Sequence, residues 1–428
     1  MILNRVEAPQ KHAIESIDLI EPQVFDYDNG LKMFLFQTEE VDLVKVEFIF
    51  DNVFNALQSP LLNPCLSGML KEGTLTRMSA QIAEEIDFYG AYLIPEYGYD
   101  QMSLNLYSLP KYLPKVLHIV QDILKNAIFP EEELETFKRN NKQKLQVSLQ
   151  KNDFVARRLF YKSLFGDEHY YGYTPDVESY DSLTRESLLE LYKKEIQPKN
   201  CTLIVSGNVS ADLITQIEEL FVADWRNSQL YSKDSLFLLA DVEPQNIVEE
   251  RTDALQSAIR LGMPMINRTH DDFPAVQFVN TLFGGYFGSR LMRNIREEKG
   301  YTYSIGSAVA SLKYTGFFTI ASEVAAESTA LTMLEIEKEF DILCSIVPDE
   351  AEVELVRNYI LGSMMGSLES IFSHADKFKA VYFYGMTNDY YKQYNTVIRS
   401  MTAEKVLQIA QKYFNFNQLV QIVVGKMN

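Results

Sequence analysis

The chain has 428 residues, of which 46% are hydrophobic and 23% are charged, and its formal net charge is −19. This length predicts two or more domains, and the acidic balance argues against nucleic-acid binding, which needs clustered Lys and Arg. No run approaches 18 apolar residues, so no membrane span is predicted. Three cysteines far apart in the chain and a start without an apolar leader favour a cytoplasmic protein.

The first part of the chain alternates strand and helix patterns. Residues 46–51 and 102–109 have the period of half-buried strands, and residues 113–128 carry apolar side chains at helical spacing. Strands followed by amphipathic helices predict layers of sheet and helix, which is an α+β architecture.

Three sequence signals of the first half occur again later in the chain, in the same order. Residues 202–207 (TLIVSG) recur as residues 420–425 (VQIVVG), 218 positions later, and IFPEE at 128–132 recurs as IVPDE at the same offset. Residues 259–263 repeat the strand at 46–51. The repetition predicts two homologous domains, each a mostly antiparallel sheet with helices packed on one face. The expected boundaries are 1–225, a linker at 226–246, and 247–428.

Metal-binding motifs are absent from the sequence. The five histidines are His12, His118, His169, His270 and His374, and they form neither H-E-x-x-H nor H-x-x-E-H. His169, beside Asp167 and Glu168, is the best isolated candidate, although a loop histidine at the surface or between domains is favoured because catalytic zinc needs three protein ligands. His118 is expected to be packed within a helix.

Three segments are similar to the pitrilysin/insulinase family of zinc metallopeptidases, the inverzincins. They are residues 66–74 (LSGMLKEGT), 79–91 and 164–172, and they occur in the family's order. The resemblance implies half of a clam-shell peptidase. It also puts Pro64 and Gly68 at the two histidine positions of H-x-x-E-H, Ser67 at the general-base glutamate and Lys144 at the third ligand. None of these four residues is suited to bind zinc or to act as the base.

The second half keeps a different part of the family pattern. Residues 284–291 (GGYFGSRL) and 296–303 (REEKGYTY) resemble the run that faces the zinc in active members. Arg296 and Tyr303 match its arginine and tyrosine in type and spacing, which implies that they hold substrate and stabilise a developing oxyanion. The glycines of 284–291 are predicted to be turn and close-packing positions rather than a nucleotide loop.

The resemblance implies the non-zinc-binding type of subunit, like the alpha subunit of mitochondrial processing peptidase. Such a chain binds no cofactor itself, and its partner is a homologous zinc-binding subunit that carries H-x-x-E-H and cleaves peptide substrates. The alternative is a peptide-binding or scaffold protein of the same family that takes no part in catalysis. A third hypothesis, an independent enzyme with a relocated metal site, is disfavoured by the scattered histidines.

Overall fold

The structure, a computed structural model, describes residues 17–54, 59–227 and 242–427. His12 and most of the predicted linker at 226–246 lie outside the described residues.

The strands are β1 Gln23–Asp26, β2 Lys32–Gln37, β3 Val44–Asp51, β4 Tyr92–Tyr97, β5 Gln101–Ser108, β6 Cys201–Gly207, β7 Gln245–Glu250, β8 Gln256–Met265, β9 Thr302–Ser311, β10 Gly316–Ala325 and β11 Val420–Gly425. The α-helices are α1 Leu62–Met69, α2 Ser79–Phe88, α3 Leu113–Asn126, α4 Glu131–Ser148, α5 Asn152–Phe165, α6 Arg185–Glu195, α7 Ala211–Glu218, α8 Phe273–Asn280, α9 Thr329–Ser345, α10 Glu350–Gly366, α11 Ile371–Tyr382, α12 Asp389–Ser400 and α13 Ala403–Tyr413.

The two sheets share one strand order. The first is β1-β2-β6-β3-β5-β4 and the second is β7-β11-β8-β10-β9. The repeated strands β6 and β11 occupy the same place, because each pairs in parallel with one neighbour and antiparallel with the other. The remaining pairs are antiparallel, so the second sheet repeats the first without its edge strand β1.

The repeated proline signature begins equivalent helices. Helix α4 starts directly after Pro130, and α10 starts at Glu350, two residues after Pro348. Acidic residues occupy the first turn of each, where the helix dipole favours negative charge.

Alternation along the strands determines what each sheet face buries. In β2, Met33 and Leu35 point into the core formed with the helices of the first half, while Phe34 and Phe36 point to the opposite face. The second sheet has the same arrangement, with its own helices over one face. The predicted α+β fold with two homologous layered halves is therefore confirmed.

The opposite face of each sheet is covered by a helix from the other half. Helix α5, of the first half, packs on β8 and β11 through residues such as Phe160, whose ring approaches Gly262 so closely that an added Cβ would lie 2.6 Å from it. Helix α11, of the second half, packs Phe378 against Phe34 and Phe36. The two halves thus exchange equivalent helices and share two cores.

The described helices include no candidate for a membrane span. No helix within 17–54, 59–227 and 242–427 is both long and apolar enough to cross a bilayer.

Candidate functional site

The degenerate motif lies on the short helix α1. Ser67 is buried, and Pro64 and Gly68 are half-buried on the same helix. The space beside Gly68 is filled by the ring of Phe137 from α4, since a Cβ added at Gly68 would lie only 2.7 Å from Phe137 Cε2. Gly68, which the resemblance places at the second histidine, is thus closed off by packing, and a larger side chain there requires the ring to move.

Neither Cys65 nor Lys144 offers a replacement ligand at the motif. Cys65 is buried, and burial raises the pKa of its thiol to about 12, so it is not the thiolate that a metal requires. Lys144 is exposed on α4, about two turns beyond Phe137. Across the parts of the chain that the structure describes, no group of three or more His, Cys, Asp or Glu side chains could hold a metal ion. The residues at the motif therefore do not fit zinc.

The described histidines do not form an alternative site. His169 is buried among Phe165, Tyr170 and Tyr171 in the core shared by the two halves, and burial lowers its pKa to about 4. The interdomain interpretation of His169 is confirmed. The prediction that His118 is packed is wrong. Leu117 and Ile119 are buried, but His118 between them lies on the exposed face of α3.

A buried polar pair lies immediately beside the degenerate motif. Asn63 of α1 donates a hydrogen bond to Glu195 Oε2 at 3.1 Å, and the Val53 backbone N–H donates to the same oxygen at 2.9 Å. Glu195 is fully buried, and this burial raises the pKa of its carboxyl group to about 8. The sequence analysis did not single out this pair, because nothing in the local pattern distinguishes Glu195 from the exposed acids of α6.

Arg296 and Tyr303 come together in the second half. Arg296 lies on the π-helical turn Met292–Glu298, and Tyr303 is the second residue of β9. The Arg296 guanidinium carbon is 5.8 Å from the centre of the Tyr303 ring, and 89% of Tyr303 is exposed. The pair predicted from seven-residue spacing is therefore adjacent and accessible.

A β-bulge directs Tyr303 outward. Ser322 and Val324 of β10 face Ile305 and Thr302, so β9 contains one extra residue at this point. The Thr302 hydroxyl donates to the Glu323 carbonyl at 2.6 Å, and the Ser322 hydroxyl donates to the Ser304 carbonyl at 2.9 Å. Bulges of this kind re-aim side chains and are frequent beside active sites.

The segment that leads into the turn of Arg296 is held by an ion pair. Arg290 contacts Glu352 of α10 through two hydrogen bonds, from Nε at 2.9 Å and from Nη2 at 2.7 Å. Asn294 on the same turn donates to Glu339 of α9 at 2.7 Å. A bidentate arginine–carboxylate pair restricts orientation as well as position, so the backbone under Arg296 is fixed on two helices.

The described side chains are suited to stabilise an oxyanion but not to activate water. Arg296 and Tyr303 present N–H and O–H donors to solvent, which suits a carbonyl oxygen or a developing oxyanion. The motif helix in the other half has neither metal ligands nor a general base. Within the described residues, nothing on this helix could activate water in the way that the zinc site of these peptidases does.

Known proteins similar to this chain include named zinc proteases and a probable inactive metalloprotease. Residues 182–360 match the family described as the peptidase M16 inactive domain, a range that contains Arg296 and Tyr303 but begins beyond the degenerate motif. A protein of Rickettsia felis named "Uncharacterized zinc protease" is 28% identical over 339 residues, covering 77% of this chain and 79% of the relative. The "Probable inactive metalloprotease YmfF" of Bacillus subtilis is 25% identical over 240 residues, covering 55% of each chain.

Solved structures show the same fold. A peptidase M16 inactive domain from Pseudomonas fluorescens superposes with a TM-score of 0.87 at 21% identity, covering 96% of this chain and 99% of that one. A chain of complex III from Candida albicans gives a TM-score of 0.73 at 14% identity, covering 94% and 95%. The fold is that of the peptidase M16 inactive domain, and the described part of the chain holds no group of side chains that could bind a metal ion. The resemblance of the chain to the pitrilysin-type peptidases is confirmed by these matches.

Proposed function

We propose that the chain is the non-zinc-binding subunit of a heteromeric pitrilysin-type metallopeptidase. In this assembly Arg296 and Tyr303 act on a peptide that is hydrolysed at the zinc site of a homologous partner carrying H-x-x-E-H. The observation that carries the proposal is the contrast between the two halves. The degenerate motif is closed by Phe137, whereas the Arg296–Tyr303 pair is intact, adjacent and exposed.

The state of the Arg296 side chain supports a role toward a ligand. Among the described residues its guanidinium donates no hydrogen bond to a protein acceptor, and the nearest carboxylate, that of Glu297, is 4.0 Å away. An arginine that anchored the fold would be paired as Arg290 is. The free N–H fork of Arg296 and the Tyr303 hydroxyl are suited to stabilise charge that develops during peptide hydrolysis.

The first sheet supports the view that the peptide lies on the partner. Its edge strand β4 contains Pro95, which pairs with Leu104 and, on an edge strand, turns its donor-free nitrogen outward. On the same edge, Lys71 Nζ donates to the Leu93 carbonyl at 3.5 Å. A peptide added as a further strand here would lack one backbone donor and compete with Lys71 for an acceptor, so an extended substrate is better served by the partner's sheet edge.

A non-catalytic peptide-binding or scaffold role is the second candidate. It is favoured by the likeness to a relative named as an inactive metalloprotease and to a chain of complex III. A cytoplasmic location also belongs to the proposal, and the three cysteines, all free thiols, are compatible with a reducing compartment.

The test begins with purification of the tagged chain from its native cell and metal analysis of the chain alone. We expect less than stoichiometric zinc in the chain alone, and a co-purifying subunit that carries H-x-x-E-H. In the reconstituted pair, Tyr303→Phe and Arg296→Ala should each lower kcat by about 100-fold without loss of assembly. Tyr92→Phe and Arg139→Ala, which change exposed residues of the first half, are the matched controls. If both site variants assemble and cleave at the wild-type rate, the shared site is wrong and the scaffold role replaces it.

A further inference from the structure

A third side chain, Phe287, completes the surface formed by Arg296 and Tyr303. It lies in the glycine-rich turn at 284–288 and is 63% exposed. Its neighbour Tyr286 packs inward against Tyr359, with ring centres 4.8 Å apart. Gly288 leaves room for this packing, because a Cβ at that position would lie 2.9 Å from the Tyr286 ring. The turn therefore partly buries one aromatic ring and leaves the next one at the surface.

Phe287 is the ring nearest to the Arg296 guanidinium. The guanidinium carbon is 4.6 Å from the centre of the Phe287 ring and 5.8 Å from that of Tyr303. At 4.6 Å the planar cation is in contact with the aromatic face, where the ring quadrupole attracts it. A guanidinium that stacks on an aromatic ring uses its faces and leaves its in-plane N–H groups available.

Packing of the core does not explain this contact. A phenylalanine with most of its surface in water contributes little burial. Among the described residues, Arg296 approaches only the Glu297 carboxylate, at 4.0 Å, unlike the two short contacts of Arg290 with Glu352. The contact does, however, restrict a long side chain that has many rotamers. A donor fork held in one place loses less freedom when it meets an oxygen atom of a ligand.

We infer that Phe287 is a positioning residue for Arg296, holding the guanidinium so that its N–H fork faces a carbonyl or carboxylate oxygen of an extended polypeptide. This inference rests on the proposed function for the ligand, but the contact itself is a property of the free chain. The two parts are therefore tested separately.

The first experiment observes Arg296 directly in the free chain. Nitrogen-15 arginine labelling, with Arg296→Lys to assign the signal, reports the Nε–H resonance. In Phe287→Leu, which keeps an apolar side chain but removes the ring, the signal should lose its ring-current shift and become more mobile. Phe287→Trp should restore both features, and Phe88→Leu, at another exposed phenylalanine, should change neither. An unchanged Arg296 signal in Phe287→Leu overturns the inference.

The second experiment measures turnover with the zinc-bearing partner. Phe287→Leu should lower kcat by between about 10-fold and about 100-fold with little change in KM, because a misplaced donor affects the transition state most. In an Arg296→Ala background the same change should have no further effect. A full additional loss in that background would mean that Phe287 contacts the substrate itself, and would overturn the positioning role. If the resonance shifts as expected but neither Arg296→Ala nor Phe287→Leu alters turnover, the proposed function fails and the contact remains.

Discussion

The ammonium of Lys379 lies 2.6 Å from Glu47 Oε1, although the two residues belong to different halves of the chain. Glu47 is on strand β3 of the first sheet and Lys379 is on α11, the helix that the second half contributes to that sheet. Lys45 is 3.1 Å from the other carboxylate oxygen of Glu47 and 3.1 Å from Asp376. A small ionic cluster thus fastens the exchanged helix to the sheet beneath it.

Loss of Glu47 should destabilise the protein. In Glu47→Leu the buried ammonium of Lys45 keeps only the half-exposed Asp376 as a counter-charge in a poorly solvated place. We expect the free energy of unfolding in urea to fall by roughly 3 kcal/mol. Asp389→Asn, which removes an exposed ion pair with Lys392, is the control and should leave the midpoint unchanged. Equal effects of the two substitutions would contradict the role assigned to the cluster.

The packing at the degenerate motif should make Gly68 intolerant of a side chain. Gly68→Ala places a methyl group about where the Phe137 ring now lies, so we expect a loss of stability of roughly 1 to 3 kcal/mol. In a Phe137→Leu background the same substitution should be less harmful, because the obstructing ring is gone. Thermal denaturation of the four proteins in this cycle measures the coupling, and strict additivity would show that the contact has no energetic effect.

Glu195 should make stability depend on pH. Its carboxyl has a folded pKa of about 8 and an ordinary value of 4.5, so between these values the folded state binds one more proton than the unfolded state. Its contribution to stability is therefore fully present at low pH and declines as pH rises through this window, by up to about 1.4 kcal/mol per pH unit. Glu195→Gln should remove this slope and become more stable than the wild type as pH increases.

The control for this experiment is Glu190→Gln, an exposed acid on the same helix, which should leave the pH profile unaltered. Urea unfolding at a series of pH values from about 5 to about 8 provides the comparison. A constant stability difference between Glu195→Gln and the wild type across that range would contradict the raised pKa.

The exchange of helices predicts that the two halves depend on each other. A fragment of residues 1–225 would expose Phe34 and Phe36 on its sheet and Phe160 on α5, all of which are buried in the whole chain. We expect this fragment, and also 247–428, to bind a hydrophobic dye and to unfold without cooperativity, whereas co-expression restores a folded complex. Cooperative unfolding of either fragment alone would show that the exchanged helix is dispensable.

The sequence by itself determined the repeated halves, the fold class and the loss of metal ligands. These are carried by local patterns: the period of apolar residues, a proline followed by acids at a helix start, and the residue types at the positions of a motif. The pairing of Arg296 with Tyr303 also followed from their seven-residue spacing within a family pattern.

Only the tertiary structure decided what covers each apolar face. The alternation in β2 shows that Phe34 and Phe36 face away from Met33 and Leu35, but no local pattern tells that the covering helix lies more than 300 residues away. The same holds for Phe287, because its exposure beside Arg296 depends on where a turn, a helix and a bulged strand meet. It holds also for Glu195, because the pKa of its carboxyl depends on burial. The period of apolar residues encodes which face of a helix or strand is apolar, whereas the partner that this face contacts depends on the assembly of the whole chain.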